Sequence, residues 1–445
     1  MTGVAVVAVA ASARSPERRS LADTASLSAR ASLASPAPIA WCGTDAISED
    51  RKPDALGGRQ TRVIYAFPSD GPDNFATRAS QIASSINAVD TWWRGQDPTR
   101  TPRFDLAVMP GCATTFGALD IAHVQLPHDS AYYFGISTEA NRIGKLRTDL
   151  APVLTHLGKK YLVYYDGPVE FGICGEFNGA SIRGGPFSLA VMYVQGPGCP
   201  GPLGAGSNND RSAAHELLHS FGAVPVAAPH WCESHTCDRP DDIMHARNLG
   251  YALDEVLLDP GRDDYYGHAG SWEDAQDSEW LRHLDSPEYR LQIAVQGDGS
   301  VESEQPGIEC PTGCAVSWDA GSAVRLFAHA RDGSRFVNWT GACAGDSDCV
   351  VRMDEPLSVG AVFVRQIVVR VRIVRRGGRG SVETIAGVCS ATCTIDVDEG
   401  SATRLVAVPR RGSRFAGWSG ACRGRGACRF KASAAVAVTA TFAKR

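Results

Sequence analysis

The sequence predicts an α/β (α+β) domain followed by two small all-β modules. Three observations predict it. The first 285 or so residues alternate strand-like and helix-like segments, the last third repeats itself at a fixed offset, and that repeat is dense in cysteine.

In the first part the elements follow one another closely. The run 61-TRVIYAF-67 reads as a strand, and residues 73 to 94 read as a helix with Phe75, Ile82, Ile86, Val89 and Trp93 on one face. Strands follow near 104-FDLAVMP-110 and 119-LDIAHVQLP-127, then a second amphipathic helix over 140–157. Strands at 160–167 and 188–196 precede a helix around His215, and 272-WEDAQDSEWLRHL-284 reads as a closing helix. The order implies a mixed sheet with a helix packed beneath it.

The length of 445 residues fits two or three domains, and the net charge of -5 is modest. The charge is uneven. Residues 365–445 hold 16 Lys+Arg against 4 Asp+Glu, and the rest of the chain holds 28 against 45. A basic end can hold an anionic cell-wall or surface polymer, or nucleic acid; a solvated arginine-rich surface is the plainer and preferred reading. No apolar run is long enough to span a membrane as a helix. The start, 2-TGVAVVAVAASA-13, looks like the apolar core and cleavage site of a secretory signal without its basic flank. Residues 14–38 have the composition of a disordered segment. Fourteen cysteines in paired spacings point to an oxidising compartment, hence a secreted or cell-surface protein.

The repeat is explicit. The stretch 333-GSRFVNWTGACAGDSDC-349 returns as 412-GSRFAGWSGACRGRGAC-428. Cys310, Cys314, Cys343 and Cys349 recur 79 residues later as Cys389, Cys393, Cys422 and Cys428. A β module of this size has a small core, so cystines are expected to staple it, Cys310 to Cys314 and Cys343 to Cys349, and likewise in the second copy. Crossed pairing and zinc binding by four cysteines are the alternatives. Both copies, with 297-GDGSV-301 and 378-GRGSV-382 at their starts, resemble extracellular repeat modules related to internalin B-repeats. The resemblance implies a spacer or a surface-binding appendage. Trp339 and Trp418 are read as core residues in preference to ligand-binding aromatics.

The chemistry gathers in 206-GSNNDRSAAHELLHSFGAVPVAAPHWCESHTC-237. His215 and His219 are four apart, so on a helix both imidazoles reach one metal ion, with Glu216 beside them. Gly222 can break the helix and turn the chain back toward the metal. The pattern His-Glu-x-x-His-x-x-Gly resembles that of the metzincin metallopeptidases, and 241-DDIMHA-246 resembles their Met-turn, with Met244 as the apolar floor below the metal. The resemblance extends over residues 40–285, including 91-TWWRGQDPTRTPRFDL-106 and 258-LDPGRDDYY-266, to secreted bacterial proteins of this kind. It implies one catalytic Zn²⁺ on three histidines. The position where the family carries its third ligand is Pro225, which cannot bind metal. His230 is therefore ranked first as the third ligand, His235 second and Asp238 third. His230 is preferred because its Ala-Pro lead-in is stiff and it avoids the cystine loop expected between Cys232 and Cys237. In terms of that resemblance Cys42 would pair with Cys112 and Cys174 with Cys199, and the even count of cysteines agrees. Ala246 stands where some relatives carry a tyrosine. Tyr265 and Tyr266 are read as packing residues, and Asp263 and Asp264 as weakly supported calcium ligands.

The expected organisation is a signal-like and disordered segment over 1–38, a metzincin-like zinc peptidase domain over 39–287, and β modules over 290–364 and 367–443. The expected function is a secreted zinc endopeptidase acting on protein or peptide substrates, with Glu216 as general base. The alternatives are a non-catalytic cell-surface or cell-wall binding protein with a degenerate metal site, and a metal-dependent hydrolase of a cell-wall amide.

Overall fold

The computed structural model of the protein describes residues 39–43, 46–109, 112, 117–134, 139–170, 174–178, 188–196, 202–247, 249–311 and 313–445. The signal-like start and Cys199 lie outside the described residues.

A five-stranded sheet organises the first part. Its strands are β1 (Gln60–Phe67), β2 (Ile121–Gln125), β3 (Lys159–Tyr165), β4 (Gly175–Asn178) and β5 (Leu189–Tyr193), in the order β2-β1-β3-β5-β4. The first four in that order run parallel, and β4 is an antiparallel edge strand. β1, β3 and β5 are buried along their whole length, as parallel strands covered on both faces must be. Among the described residues four helices accompany the sheet: α1 (Phe75–Gln96), α2 (Ser130–Phe134), α3 (Glu139–Leu150) and α4 (Asn208–Ser220). Val63, Tyr65, Leu162, Tyr164, Ala190 and Met192 face α1 and α4 in one core. Their sequence neighbours Ile64, Val163, Tyr165, Val191 and Tyr193 face α3 in a second core. This period of two makes a three-layer domain with the histidine-bearing helix α4 under the sheet.

Three expectations change, the first being that the helix expected over 140–157 ends at Leu150. The segment 272–284 is not a helix. It forms a single 3₁₀ turn, Ala275–Asp277, and then a strand, Leu281–His283, paired with Arg100–Pro102. Trp280 is buried against the Lys160 ammonium and the Arg59 guanidinium, so tertiary contacts override the helical pattern. The expected strand over 104–110 shrinks to Leu106–Ala107.

Both C-terminal modules are β sandwiches around cores of their own, with Trp339 and Trp418 buried in them. Each tryptophan donates its indole N–H to a loop carbonyl, Ser347 in the first copy and Gly426 in the second. The disulfides Cys310–Cys314, Cys343–Cys349, Cys389–Cys393 and Cys422–Cys428 form as expected. So do Cys42–Cys112 and Cys232–Cys237. Cys174 is disulfide-bonded, and its expected partner Cys199 lies outside the described residues.

The joints between these parts are short and hydrogen-bonded. Ala55–Gly58 lies along the first module. Gly57 N–H donates to Ser317 O (2.7 Å) and Gly58 N–H to Pro306 O (2.9 Å). Arg103, buried, bonds Gly57 O and Leu281 O and pairs with Asp319. The two modules then share one 20-residue strand, Leu357–Arg376, which pairs with both of them. At about 3.3 Å per residue it spans about 65 Å without a hinge. The modules therefore form a stiff arm docked on the first domain.

Gly57 has no room for a side chain, because a Cβ there would enter the indole of Trp318. Gly57→Ala is expected to destabilise this joint by about 1–3 kcal/mol. A lowered thermal midpoint, with new protease cleavage between the domain and the first module, would register it.

Candidate metal centre

Helix α4 is built to hold its two histidines still. Ser207 caps its start in a capping box with Asp210, an arrangement with a contribution of about 1 kcal/mol. Its end is closed by Gly222 in the left-handed region (φ 87°), with Gly222 N–H on His219 O and Ala223 N–H on Leu218 O. Lys160, buried beneath, donates to Ser220 O at the same terminus.

The structure brings His215, His219 and His235 together, with one ring nitrogen of each within 4.8 Å of the others. His219 Nε2 and His235 Nε2 are 3.3 Å apart. His215 Nδ1 lies 2.7 Å from Ile243 O, and His235 Nδ1 lies 3.0 Å from Glu233 O. A carbonyl only accepts, so Nδ1 carries the proton in both rings and Nε2 keeps its lone pair. Burial, reinforced by the neighbouring histidines, holds His215 well below the ordinary imidazole range and takes His219 down to about 3. Neutral imidazoles at this spacing fit zinc. With Zn–N near 2.0–2.1 Å, tetrahedral ligands stand roughly 3.3–3.4 Å apart.

His230 is not in this cluster. Its N–H and Nδ1 both reach the Asp264 carboxylate, at 2.9 and 3.0 Å, and Asp238 is 3.8 Å away. The structure thus brings the second-ranked candidate, His235, and not the first-ranked His230, beside His215 and His219. The reason is the hairpin made by β6 (Trp231–Cys232) and β7 (His235–Thr236), which the Cys232–Cys237 disulfide closes. The cystine loop presents the imidazole instead of displacing it.

The turn after this hairpin ties the set together. Thr236 N–H donates to Met244 O, and Ala246 N–H donates to Thr236 O, both at 2.9 Å. Met244 is fully buried. The Asp242 carboxylate accepts Met244 N–H (2.7 Å) and the Tyr265 hydroxyl (2.7 Å), and burial pushes its pKa up to about 7. Tyr265 and Tyr266 are fully buried and hydrogen-bonded, so they pack and do not replace the tyrosine missing at Ala246. Asp264, one of the two calcium candidates, is buried and engaged by His230.

A cleft of about 660 Å³ opens over His219 and His235, lined also by Ile143, Gly175, Glu176, Phe177, Glu216 and Ala246 among others. Glu216 is buried in its wall, and burial, helped by the charge of Glu176, pushes its carboxyl up to about 8. Strand β4 supplies the opposite wall and escaped sequence reasoning, because four residues carry no periodicity. Phe177 stacks on His219 at 5.9 Å between ring centres. Glu176 is held from behind by Arg142 (2.6 Å) and by the Tyr193 hydroxyl. Gly175 lies under Glu216: a Cβ there would sit 2.5 Å from Glu216 Cγ and 2.8 Å from Oε1.

Comparison with known proteins bears on the arm. The model of the family described as divergent InlB B-repeat domain matches residues 289–367 and 376–445. The two C-terminal modules are divergent InlB B-repeats. No curated protein matches the chain. Among solved structures, wild-type OgpA from Akkermansia muciniphila overlaps 89% of this chain and 97% of its own, at 11% identity and a TM-score of 0.27. Catalytically inactive OgpA in complex with an O-glycopeptide (glycodrosocin) substrate overlaps 90% and 98%, at 10% identity and 0.24. A C-terminal fragment of the pilus adhesin SpaC from Lactobacillus rhamnosus GG overlaps 35% and 98%, at 10% identity and 0.15. Overlaps this slight carry no inference about the cleft.

His235→Ala is expected to abolish retention of zinc after dialysis, and His230→Ala to leave one zinc per chain. Elemental analysis of both variants distinguishes the two ligand sets, and the reverse pattern would restore His230 to the site.

Proposed function

We propose that the protein is a secreted zinc-dependent endopeptidase of metzincin-like design. One observation carries this reading: ring nitrogens of His215, His219 and His235 come within 4.8 Å of one another beside a buried carboxylate, Glu216, at an open cleft that His219, His235 and Glu216 line. His215, His219 and His235 would hold the ion. Zinc bound there would supply a Lewis acid that polarises a carbonyl and makes a water molecule more acidic.

The chain's own residues supply the rest. Glu216 stands on the cleft side of α4, next to His215. Its carboxylate takes a proton from the attacking water as the new C–O bond forms. The same carboxyl returns that proton to the leaving amine as the C–N bond breaks. The dry wall and the neighbouring Glu176 favour holding a proton between the two transfers, and a cation bound at the histidines would favour the ionised carboxylate that the first transfer needs. Gly175 leaves the space in which the Glu216 carboxylate lies. Strand β4 pairs only with β5 among the described residues, so its outer edge can accept an extended peptide as a further strand. Extended peptide is thus the substrate form that the cleft favours.

The non-catalytic alternative rested on Pro225. His235, close to His215 and His219, would supply the ligand that Pro225 cannot, and a purely structural site has no use for Glu216 or for an open cleft above it. Disulfides throughout the described chain, and repeats of a surface type, support an extracellular setting.

Glu216→Gln is expected to keep zinc at one per chain and to lower kcat for casein or a quenched peptide roughly 10²–10⁴-fold. Wild-type turnover in that variant would sink the mechanism. Gly175→Ala should also keep zinc and lower kcat, since it displaces the carboxylate and touches no imidazole.

A further inference from the structure

The two repeats share a backbone and differ in surface. Residues 289–367 carry 6 arginines and 10 Asp+Glu; residues 376–445 carry 12 Lys+Arg and 4 Asp+Glu. In the first repeat three of the arginines are neutralised by acids of the same repeat. Arg325 faces Asp348 (2.8 Å) and Glu304 (3.8 Å), Arg331 faces Asp298 (3.5 Å), and Arg352 faces Asp354 (3.1 Å).

The second repeat keeps each of these cations and lacks its acid. Arg404, Arg410 and Lys431 stand in the places of Arg325, Arg331 and Arg352. Ala427, Arg379 and Ser433 replace Asp348, Asp298 and Asp354, and Ile385 replaces Glu304. The backbone fixes this correspondence: Arg331 N–H bonds Asp298 O, and Arg410 N–H bonds Arg379 O. Across the strands Arg325 is opposite Val350, whereas Arg404 is opposite Arg429. Two exposed guanidinium groups in directly opposed positions repel. The acids Asp398 and Glu399 of the second repeat are engaged by Arg335 and Arg365 of the first. Among the described residues, none of the twelve basic side chains of 376–445 has a carboxylate within 4 Å.

The fold tolerates the acids, as the first repeat shows, so their removal serves something outside the fold. The complement of unpaired cations in series is a chain of anions. The large apolar side chains exposed on this repeat are Ile385, Val388 and Val408, with no exposed aromatic ring on which bases could stack. We propose that the second repeat alone binds a linear, non-nucleic polyanion of a cell surface, an acidic-sugar or phosphate-bearing polymer, across Arg404, Arg429 and the Arg423–Arg425 loop. The proposal is independent of the peptidase reading.

The test uses the full chain and three probes at physiological salt: heparin, inorganic polyphosphate and a single-stranded 20-mer DNA. One variant puts the acids back: Arg379→Asp, Ile385→Glu, Ala427→Asp and Ser433→Asp. A control makes the same total change of charge on the first repeat, at exposed Arg290→Glu, Gln292→Glu, Ala294→Glu and Gln296→Glu. Unchanged thermal midpoints establish that both fold. The acid-restored variant is expected to bind heparin or polyphosphate at least tenfold more weakly, with a shallower salt dependence, and the control to stay within threefold of wild type. Preference for heparin identifies an acidic sugar and preference for polyphosphate a phosphate polymer. Equal loss in both variants, absence of binding by wild type, or tighter binding to DNA than to either other probe would overturn the proposal.

Discussion

The candidate site depends on the turn Asp242–Ala246. One carbonyl in it, Ile243 O, accepts the Nδ1 proton of His215, and Met244 and Ala246 hydrogen-bond Thr236, which follows His235. A single turn thereby fixes an imidazole on the helix and another on the hairpin. The turn is in turn held by the Asp242 carboxylate, by Tyr265, and by Ile243 N–H on Leu257 O (3.0 Å). Met244 fills the space beneath as packing. Nothing on α4 alone could set three nitrogens at ligand spacing, since a helix places only two of them on one face.

What was legible in the sequence was whatever repeats at short range. The strands at 61–67 and 160–167 and the helix beginning near Phe75 carry clear periods and fall within a residue or two of their observed limits. The His-Glu-x-x-His helix and the module repeat are likewise local patterns. The third histidine was not legible in this way, because the hairpin that carries it has none of the usual signals. Its two turn residues, Glu233 and Ser234, have φ of 51° and 70°, a left-handed pair for which Asn-Gly is the ordinary choice. Each such residue costs about 1–3 kcal/mol unless its surroundings impose it. The Cys232–Cys237 disulfide and the bonds to the Met244 turn supply that constraint. The strained residues stand beside the proposed ligand, which is where stored strain has a use. The misread helix at 272–284 failed for the opposite reason: its pattern was local, and the pairing of Leu281–His283 with Arg100–Pro102 was not.

The arm adds a second constraint, on distance. A flexible linker would let the cleft sample the whole volume around an anchor. Here Gly57, Arg103 and Trp318 lock the first repeat to the first domain, and one strand runs on into the second. Charge follows the same division. The first repeat pairs Asp298, Glu304, Asp348 and Asp354 with its own arginines, and Asp319 with Arg103 at the joint. The second engages two of its four against the first, through Arg335–Asp398 and Arg365–Glu399, and leaves its cations open. One repeat is thus committed to mechanical coupling and the other to the outside. If the far repeat is held by a polymer, the stiff strand sets the height at which the cleft works above that surface. Substrates within that reach would be favoured over equally good peptides elsewhere, a selectivity that arises from geometry and requires no contact in the cleft itself.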